Sequence, residues 1–210
     1  LVYIDWSQQE IGIAAALSGD HAMMDAYSST DPDLDFAMQA RAVDETATKA
    51  TQGPVRDLFK ACVLATQYGM GADALAQRIR QSPAHARALL NAHRTTYPTF
   101  WRWSEAVVNY ALVHRQLDTN FGWRLHVESN PNPRSLANFP IQATGADILR
   151  IACIYGIQAG IRIAAPVHDA VLIEAPGRDI DDAVVTMQWI MRQASEVALA
   201  GFPLRSEAKV

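Results

Sequence analysis

Runs of apolar residues alternate with polar breaks along the chain, and their lengths distinguish short strands from longer helices. Residues 1–5 form an apolar run that ends in an acid, which predicts a short buried strand. Residues 161–174 hold two apolar runs on either side of His168 and Asp169, which predicts two strands joined by a tight turn. Residues 118–124 predict a second hairpin turn between short strands.

Longer amphipathic or apolar segments predict helices between these strands. They cover residues 7–17, 72–80, 82–94, 99–115 and 179–199, together with the apolar segment that ends at Ile161. Asp31 and Pro32 mark a further helix start, and Gly53 with Pro54 interrupts the chain before the helix that follows. No linker is long enough to separate independent domains.

The helix after that interruption carries the pattern around which the chain is organised. Four of its residues fall four positions apart and form one stripe, and Gly69 follows as a flexible exit: Arg56, Lys60, Leu64 and Tyr68. Two cations followed by a phenol suit an anion with a flat ring attached, which indicates a nucleotide. The alternative is a surface helix with two solvated cations and its last two stripe residues in the core.

The composition predicts a globular protein with an uneven charge distribution. The chain has 210 residues, of which 50% are hydrophobic, so it can form one large domain or two smaller ones around a real core. The net charge of −4 argues against a nucleic-acid binder, but residues 56–134 carry ten basic and five acidic side chains. A basic middle between acidic ends suits a protein that contacts a polyanion and also binds cations. Ordinary segregation of charge between exposed helices is the alternative.

Two aspartates stand where predicted strands end. Asp5 ends the first strand just before a helix, a position at which active-site groups commonly lie. Asp169 occupies the tip of the predicted hairpin, where Val167 and Val171 would hold it rigidly. A divalent-metal site needs a second carboxylate of this kind. Each residue is equally explained as an ordinary turn aspartate.

A row of polar residues follows the basic middle. Arg134, Asn138 and Gln142 recur every four positions, and in one helix they would line a face able to contact bases or sugars. Pro140 favours a bent or two-part segment instead. The alternative is a row of exposed polar residues. Glu10, in turn, fits ordinary capping of the first helix.

Taken in order, four segments resemble motifs of the family A DNA polymerases, the DNA polymerase I type. Asp5-Trp-Ser-Gln-Gln-Glu10 is similar to motif A, and Arg56-x3-Lys60-x3-Leu64-x3-Tyr68-Gly69 is similar to motif B. Val167-His168-Asp169 is similar to motif C, and Arg134-x3-Asn138-x-Pro140-x-Gln142 to a segment between motifs B and C. The resemblance covers nearly the whole chain and is to the C-terminal palm and fingers catalytic core.

The resemblance implies DNA-templated addition of dNTPs to a primer 3′-hydroxyl by phosphoryl transfer with two Mg²⁺ ions. The implied metal ligands are Asp5, Asp169 and the backbone carbonyl of Trp6, and the implied catalytic residues are Asp5, Asp169 and Lys60. The implied nucleotide-binding residues are Arg56, Lys60, Leu64, Tyr68, Glu10 and Gln8, with Glu10 excluding a ribose 2′-hydroxyl. The implied DNA-binding residues, expected at the minor groove, are Arg134, Asn138, Gln142 and His168.

The fold that the resemblance implies is α+β, with an antiparallel palm sheet, packed helices and a helical fingers insertion. The palm is expected at residues 1–30 and 129–210, and the fingers at residues 31–128. The implied partners are primer-template DNA and dNTPs, without a membrane, in a monomeric cytoplasmic protein of a bacterium or a phage that serves replication or repair. The upstream thumb and exonuclease-like domains of complete members are expected to be missing, so the isolated chain is expected to be weakly active.

Three positions depart from the family pattern. Ala170 stands where motif C commonly has glutamate, Leu64 where motif B often has an aromatic residue, and Asp33 where many members carry a triphosphate-binding histidine. Two other functions stay open. A non-catalytic nucleic-acid-binding module is kept open by Ala170, and a single-subunit RNA polymerase is disfavoured by Glu10.

Overall fold

Two compact units make up the chain, in a computed structural model that describes residues 1–67 and 69–209. The first unit comprises Leu1–Leu17, His114–Val127 and the segment from Phe139 onward, and the second comprises Ser18–Val113 and Glu128–Asn138. Both sheets lie in the first unit, and helices build the second. The predicted α+β class with a small antiparallel sheet is confirmed. The palm and fingers assignments, with boundaries at residues 30 and 128, stay predictions.

Helices predominate among the described residues. The strands are β1 (Val2–Trp6), β2 (Gln116–Asp118), β3 (Arg124–His126), β4 (Arg162–Val167), β5 (Ala170–Glu174) and β6 (Ser206–Lys209). The helices are α1 (Gln9–Ser18), α2 (His21–Ser28), α3 (Pro32–Gln39), α4 (Lys49–Gln67), α5 (Ala72–Ile79), α6 (Pro83–Thr96), α7 (Pro98–His114), α8 (Pro133–Gln158) and α9 (Ile180–Ala198).

The larger sheet has the strand order β4-β5-β1-β6, and its described pairs are all antiparallel. In β1, Val2, Ile4 and Trp6 are buried, so Asp5 lies on the opposite face of the strand. Strands β4 and β5 form the predicted hairpin, and Val167 pairs with Ala170 across it. The sheet thus holds Asp5 on a central strand, with the hairpin tip beside it.

In the second unit, α4 contains the interruption that Gly53 and Pro54 predicted. Gln52 has the non-helical angles φ −128° and ψ 27°, and these kink the helix before Arg56. Beyond the kink, Phe59 and Cys62 are buried, among other apolar residues. This burial fixes the rotation of the helix about its axis, and therefore the direction in which its other side chains point.

A chain of three hydrogen bonds runs from α7 through α6 to α4. The first two bonds join these helices, and the third lies within α4. The indole Nε1 of Trp101 donates to Nδ1 of His93 over 3.1 Å. Since an indole nitrogen only donates, Nδ1 is deprotonated and the proton of the ring lies on Nε2, which faces Thr66 Oγ1 at 3.3 Å. The Thr66 hydroxyl donates in turn to the Val63 carbonyl. Burial lowers the pKa of His93 to about 3, so the ring stays neutral.

Asp20 caps two helices at once. Its Oδ1 accepts from the backbone N–H of Met23 in α2, and its Oδ2 accepts from the N–H groups of Thr99 and Phe100 in α7, both at 3.0 Å. The Asp20 residue is only 3% exposed. One buried carboxylate therefore satisfies three backbone donors that would otherwise lack partners.

At Pro140 the sequence predicted a bent or two-part segment, and the two-part alternative is wrong. Helix α8 is assigned continuously from Pro133 to Gln158, with Pro140 inside it. Proline removes one backbone hydrogen bond, and the buried residues Ile141 and Ile148 further along the helix offset that loss by packing. Among the residues that the structure describes, no helix has the length and apolarity needed to cross a membrane.

Candidate functional site

Asp5 presents one satisfied and one unsatisfied carboxylate oxygen. Its Oδ2 accepts a hydrogen bond from Lys209 Nζ at 2.9 Å, and this bond raises the pKa of the Lys209 ammonium. Its Oδ1 is buried and finds no hydrogen-bond partner among residues 1–67 and 69–209. A buried oxygen that carries negative charge without a donor is costly, and a bound cation removes that cost.

Asp169 lies just before the strand that pairs with Asp5. In the register of the sheet Asp5 faces Ala170, and the backbone N–H of Trp6 donates to the Asp169 carbonyl over 3.2 Å. Asp169 itself belongs to the two-residue turn between β4 and β5, with His168 Nδ1 at 3.1 Å from its Oδ1. Folding therefore brings close together two aspartates that lie 164 positions apart in the sequence (169 − 5).

The backbone is unusual on both sides of this pair. Gln8, three residues after Asp5, has φ 50°, and His168, beside Asp169, has φ 58°. Residues other than glycine rarely adopt this left-handed region, and functional sites are enriched in such positions. The left-handed Gln8 also places the start of α1 at Gln9.

The aspartate pair fits divalent cations. One carboxylate lies on β1 and the other in the turn before the neighbouring strand β5, and the first has a buried oxygen without a partner among the described residues. Such carboxylates are the hard oxygen ligands that Mg²⁺ prefers. No third His, Cys, Asp or Glu joins them into a metal-ligand cluster within the described part of the chain. This agrees with Ala170, which is fully buried where the family commonly has glutamate.

Arg56 is held by two aspartates of α3 and its cap. Its Nε lies 2.5 Å from Asp31 Oδ2, and its Nη2 lies 3.2 Å from Asp33 Oδ2. The Asp33 side chain is only 1% exposed. Burial raises the pKa of the Asp33 carboxyl and Arg56 opposes that rise, while the hydrogen bond to Asp31 raises the pKa of Arg56. The acid at position 33, where many family members carry a histidine, is therefore buried beside Arg56, the first cation of motif B.

The remaining motif B residues differ in their exposure. Lys60 is exposed on α4, and Leu64 is half-buried one turn further on. Tyr68 lies outside the described residues. Gly69 has φ 60°, and a Cβ built on it would lie 2.7 Å from Cγ of Arg134. Glycine is therefore required there, because the Arg134 side chain packs directly over the backbone.

Glu10 and Gln142 form a direct contact. Gln142 Nε2 donates to Glu10 Oε1 at 2.5 Å, which joins the first turn of α1 to α8. Asn138 has a buried Oδ1 without a partner among the described residues, whereas His168 is exposed. Thus the structure pairs Glu10 with Gln142 and Arg134 with Gly69, and it places Asp169 in the turn next to the strand of Asp5.

Sequence reasoning missed three side chains that contact predicted site residues or lie opposite them in the sheet. Lys209 bonds Asp5, and Asp31 bonds Arg56. Glu207 lies directly opposite Asp5 in the pairing of β1 with β6. No motif marks the charged residues of β6, and only the register of this strand reveals them.

The sequence model described as DNA polymerase family A matches residues 1–210. DNA polymerase I of Deinococcus radiodurans is 29% identical over 190 residues, covering 84% of this chain and 20% of the relative. The DNA polymerase of Mycobacterium phage D29 is 29% identical over 175 residues, covering 82% of this chain and 28% of the relative.

A solved structure is similar over almost the full chain. It is the POL domain of Pol1 from M. smegmatis in complex with DNA primer-template and dNTP, with a TM-score of 0.83 and 26% identity. The match covers 99% of this chain and 38% of that one. The chain thus spans well under half the length of the proteins it resembles. Since the family model matches from the first residue to the last, the chain belongs to DNA polymerase family A.

Proposed function

We propose that this chain is the catalytic core of a DNA-templated DNA polymerase, which adds dNTPs to a primer 3′-hydroxyl. The observation that carries the proposal is the position of Asp169 in the turn just before the strand that pairs with Asp5, together with a buried Asp5 oxygen that lacks a donor among the described residues. Family membership supports the same activity. The M. smegmatis relative, solved with DNA primer-template and dNTP, supports these as the partners.

Asp5, Asp169 and the backbone carbonyl of Trp6 would hold two Mg²⁺ ions. When bound, these ions neutralise phosphate charge and lower the pKa of the attacking hydroxyl. The protein's contribution is to fix the ligands: the Trp6 N–H bond to the Asp169 carbonyl ties the hairpin to β1. Phosphoryl transfer depends mainly on such positioning.

Lys60 is proposed to bind the triphosphate and to protonate the leaving group. It is exposed, whereas Arg56, one turn earlier on α4, is fixed by Asp31 and Asp33. The two residues therefore have different proposed tasks. Arg56 contributes a fixed positive charge, and Lys60 contributes a mobile ammonium that follows the phosphates. Leu64, Tyr68 and Gln8 complete the proposed nucleotide-binding set.

Glu10 is proposed to exclude a ribose 2′-hydroxyl, with Gln142 holding its carboxylate. Arg134, Asn138, Gln142 and His168 are proposed to contact primer-template DNA. Minor-groove acceptors are similarly placed in every Watson–Crick pair, so such polar contacts sense pairing geometry without reading sequence. A monomeric protein in the cytoplasm of a bacterium or of a phage host is part of the proposal, and the bacterial and phage relatives support it.

The test is single-nucleotide primer extension with Mg²⁺ at low salt, where DNA binding is least weakened. The parent chain is compared with Asp169→Asn and with Asp182→Asn, a control that changes an exposed aspartate of α9. We expect extension by the parent and the control and none by Asp169→Asn. Extension by Asp169→Asn at the parental rate would overturn the proposed site.

A non-catalytic nucleic-acid-binding module is the second candidate, because Ala170 removes a carboxylate that the family commonly has. If the chain is such a module, the parent binds primer-template DNA but does not extend the primer. A longer protein that contains this chain then gives the same result. A single-subunit RNA polymerase is the third candidate. A comparison of rNTP with dNTP incorporation in the same assay distinguishes it.

A further inference from the structure

Lys209 lies on the same face of the sheet as Asp5. Strand β6 is an edge strand, and in its pairing with β1 Glu207 faces Asp5 while Lys209 faces Tyr3. Alternate residues of a strand share a face, so Lys209 is the diagonal neighbour of Asp5. Its long side chain spans that diagonal, and Nζ lies 2.9 Å from Asp5 Oδ2.

We propose that Lys209 is a resident counter-cation of Asp5, which competes with a divalent metal ion for this carboxylate, so that Lys209 sets the metal affinity of the site. The inference rests on the proposed role of Asp5 as a metal ligand. Lys209 belongs to none of the four motifs, and it contacts the Asp5 carboxylate. It would therefore act on the reaction only through the metal affinity of Asp5.

Two physical effects make the ammonium a competitor. It occupies one of the two carboxylate oxygens, and an oxygen that already accepts a strong N–H donor is a poorer metal ligand. Its positive charge also repels a divalent ion placed a few ångströms away. Both effects weaken metal binding without removing a ligand.

The displacement is nevertheless easy. The Lys209 side chain is 63% exposed, and exposed ion pairs of this kind contribute little to stability. Glu207 offers the displaced ammonium a second carboxylate on the same strand face. Lys209 thus acts as a competing charge that yields to the metal.

The experiment measures Mn²⁺ binding directly, by the electron paramagnetic resonance signal of the free ion, without nucleotide or DNA. The proteins are the parent, Lys209→Met, Lys209→Arg, Asp5→Asn and Lys49→Met. Lys49→Met is the matched control, because it removes an exposed lysine at the start of α4 and changes the net charge equally. We expect Lys209→Met to bind Mn²⁺ about three- to tenfold more tightly than the parent.

Lys209→Arg keeps a cation near Asp5 and should bind as the parent does, as should Lys49→Met. Unchanged or weaker Mn²⁺ binding by Lys209→Met, with weakened binding by Asp5→Asn, overturns this inference and leaves the proposed metal site intact. Identical Mn²⁺ binding by the parent and Asp5→Asn overturns both the metal site and the inference. Because Lys209 is exposed on an edge strand, its substitution should not prevent folding.

Discussion

Gln142 donates a hydrogen bond to Glu10 over 2.5 Å, although 132 positions separate the two residues. The family resemblance assigns them different tasks, since Glu10 belongs to sugar discrimination and Gln142 to contact with DNA. The hydrogen bond couples these two tasks, because the Gln142 amide that would contact DNA also orients the Glu10 carboxylate. A change in either residue should therefore alter sugar selection.

We predict that Glu10→Ala and Gln142→Ala both raise rNTP incorporation relative to dNTP incorporation. Glu10→Ala removes the carboxylate itself, and Gln142→Ala only releases it, so the second effect should be smaller, about fivefold, as expected for one exposed hydrogen bond of about 1 kcal/mol. The ratio of kcat/KM for a dNTP and its matching rNTP measures the effect. Additive effects in the double variant would show that the two residues act independently.

Arg56→Ala should destabilise the second unit, whereas Lys60→Ala should not. Removing Arg56 leaves Asp33 buried without its cation, and we expect a loss of about 2 to 3 kcal/mol, below the value for a fully buried pair because Asp31 is partly exposed. Urea unfolding measures it. Adding Asp33→Asn to Arg56→Ala should restore part of the stability. Equal unfolding midpoints for Arg56→Ala and Lys60→Ala would contradict the prediction.

Stability should fall as the pH drops below 6.5 because of His93. Its pKa is about 3 in the fold, against 6.5 as its ordinary value, so the unfolded chain binds a proton that the folded chain does not. The stabilisation is complete above pH 6.5 and is lost toward pH 3, with a slope that approaches about 1.4 kcal/mol per pH unit.

His93→Gln provides the test, because glutamine accepts and donates but does not titrate. The variant should be less stable than the parent at pH 8, and its stability should fall less steeply between pH 6.5 and 4. Urea unfolding over a pH series gives both slopes. Parallel curves for the two proteins would mean that another group accounts for the acid sensitivity.

Asp20→Ala should cost more than the loss of an ordinary helix cap. It leaves three backbone donors of α2 and α7 without their acceptor, so we expect a loss of about 2 to 4 kcal/mol. Ser82→Ala is the comparison, since Ser82 accepts from the single backbone donor His85 at the exposed start of α6 and should cost about 1 kcal/mol. Equal losses in thermal or urea unfolding would refute the double-cap role.

Local sequence patterns predicted most helices and strands correctly, but they predicted few of the contacts between residues that are far apart in the sequence. The hairpin at His168 and Asp169 follows from two apolar runs around a tight turn, and the kink at Gln52 follows from the Gly53-Pro54 signal. The stripe on α4 gave the direction of Arg56 but not its neighbours, because a helical period says nothing about residues 25 positions earlier. Pro140 was misjudged, since burial along α8 offsets the backbone bond that proline removes.

The strand order β4-β5-β1-β6 also determines when the larger sheet can form during synthesis of the chain. Strand β1 is the earliest of these elements to be synthesised, yet it lies between β5 and β6, two of the last. Until residues 170–174 have left the ribosome, neither edge of β1 has its partner strand, and the edge that pairs with β6 stays open until residues 206–209 follow. The helices of the second unit have local contacts and can form meanwhile. Among the described residues, the carboxylate site is therefore the last part to assemble, and a nascent chain should need a chaperone most at that stage.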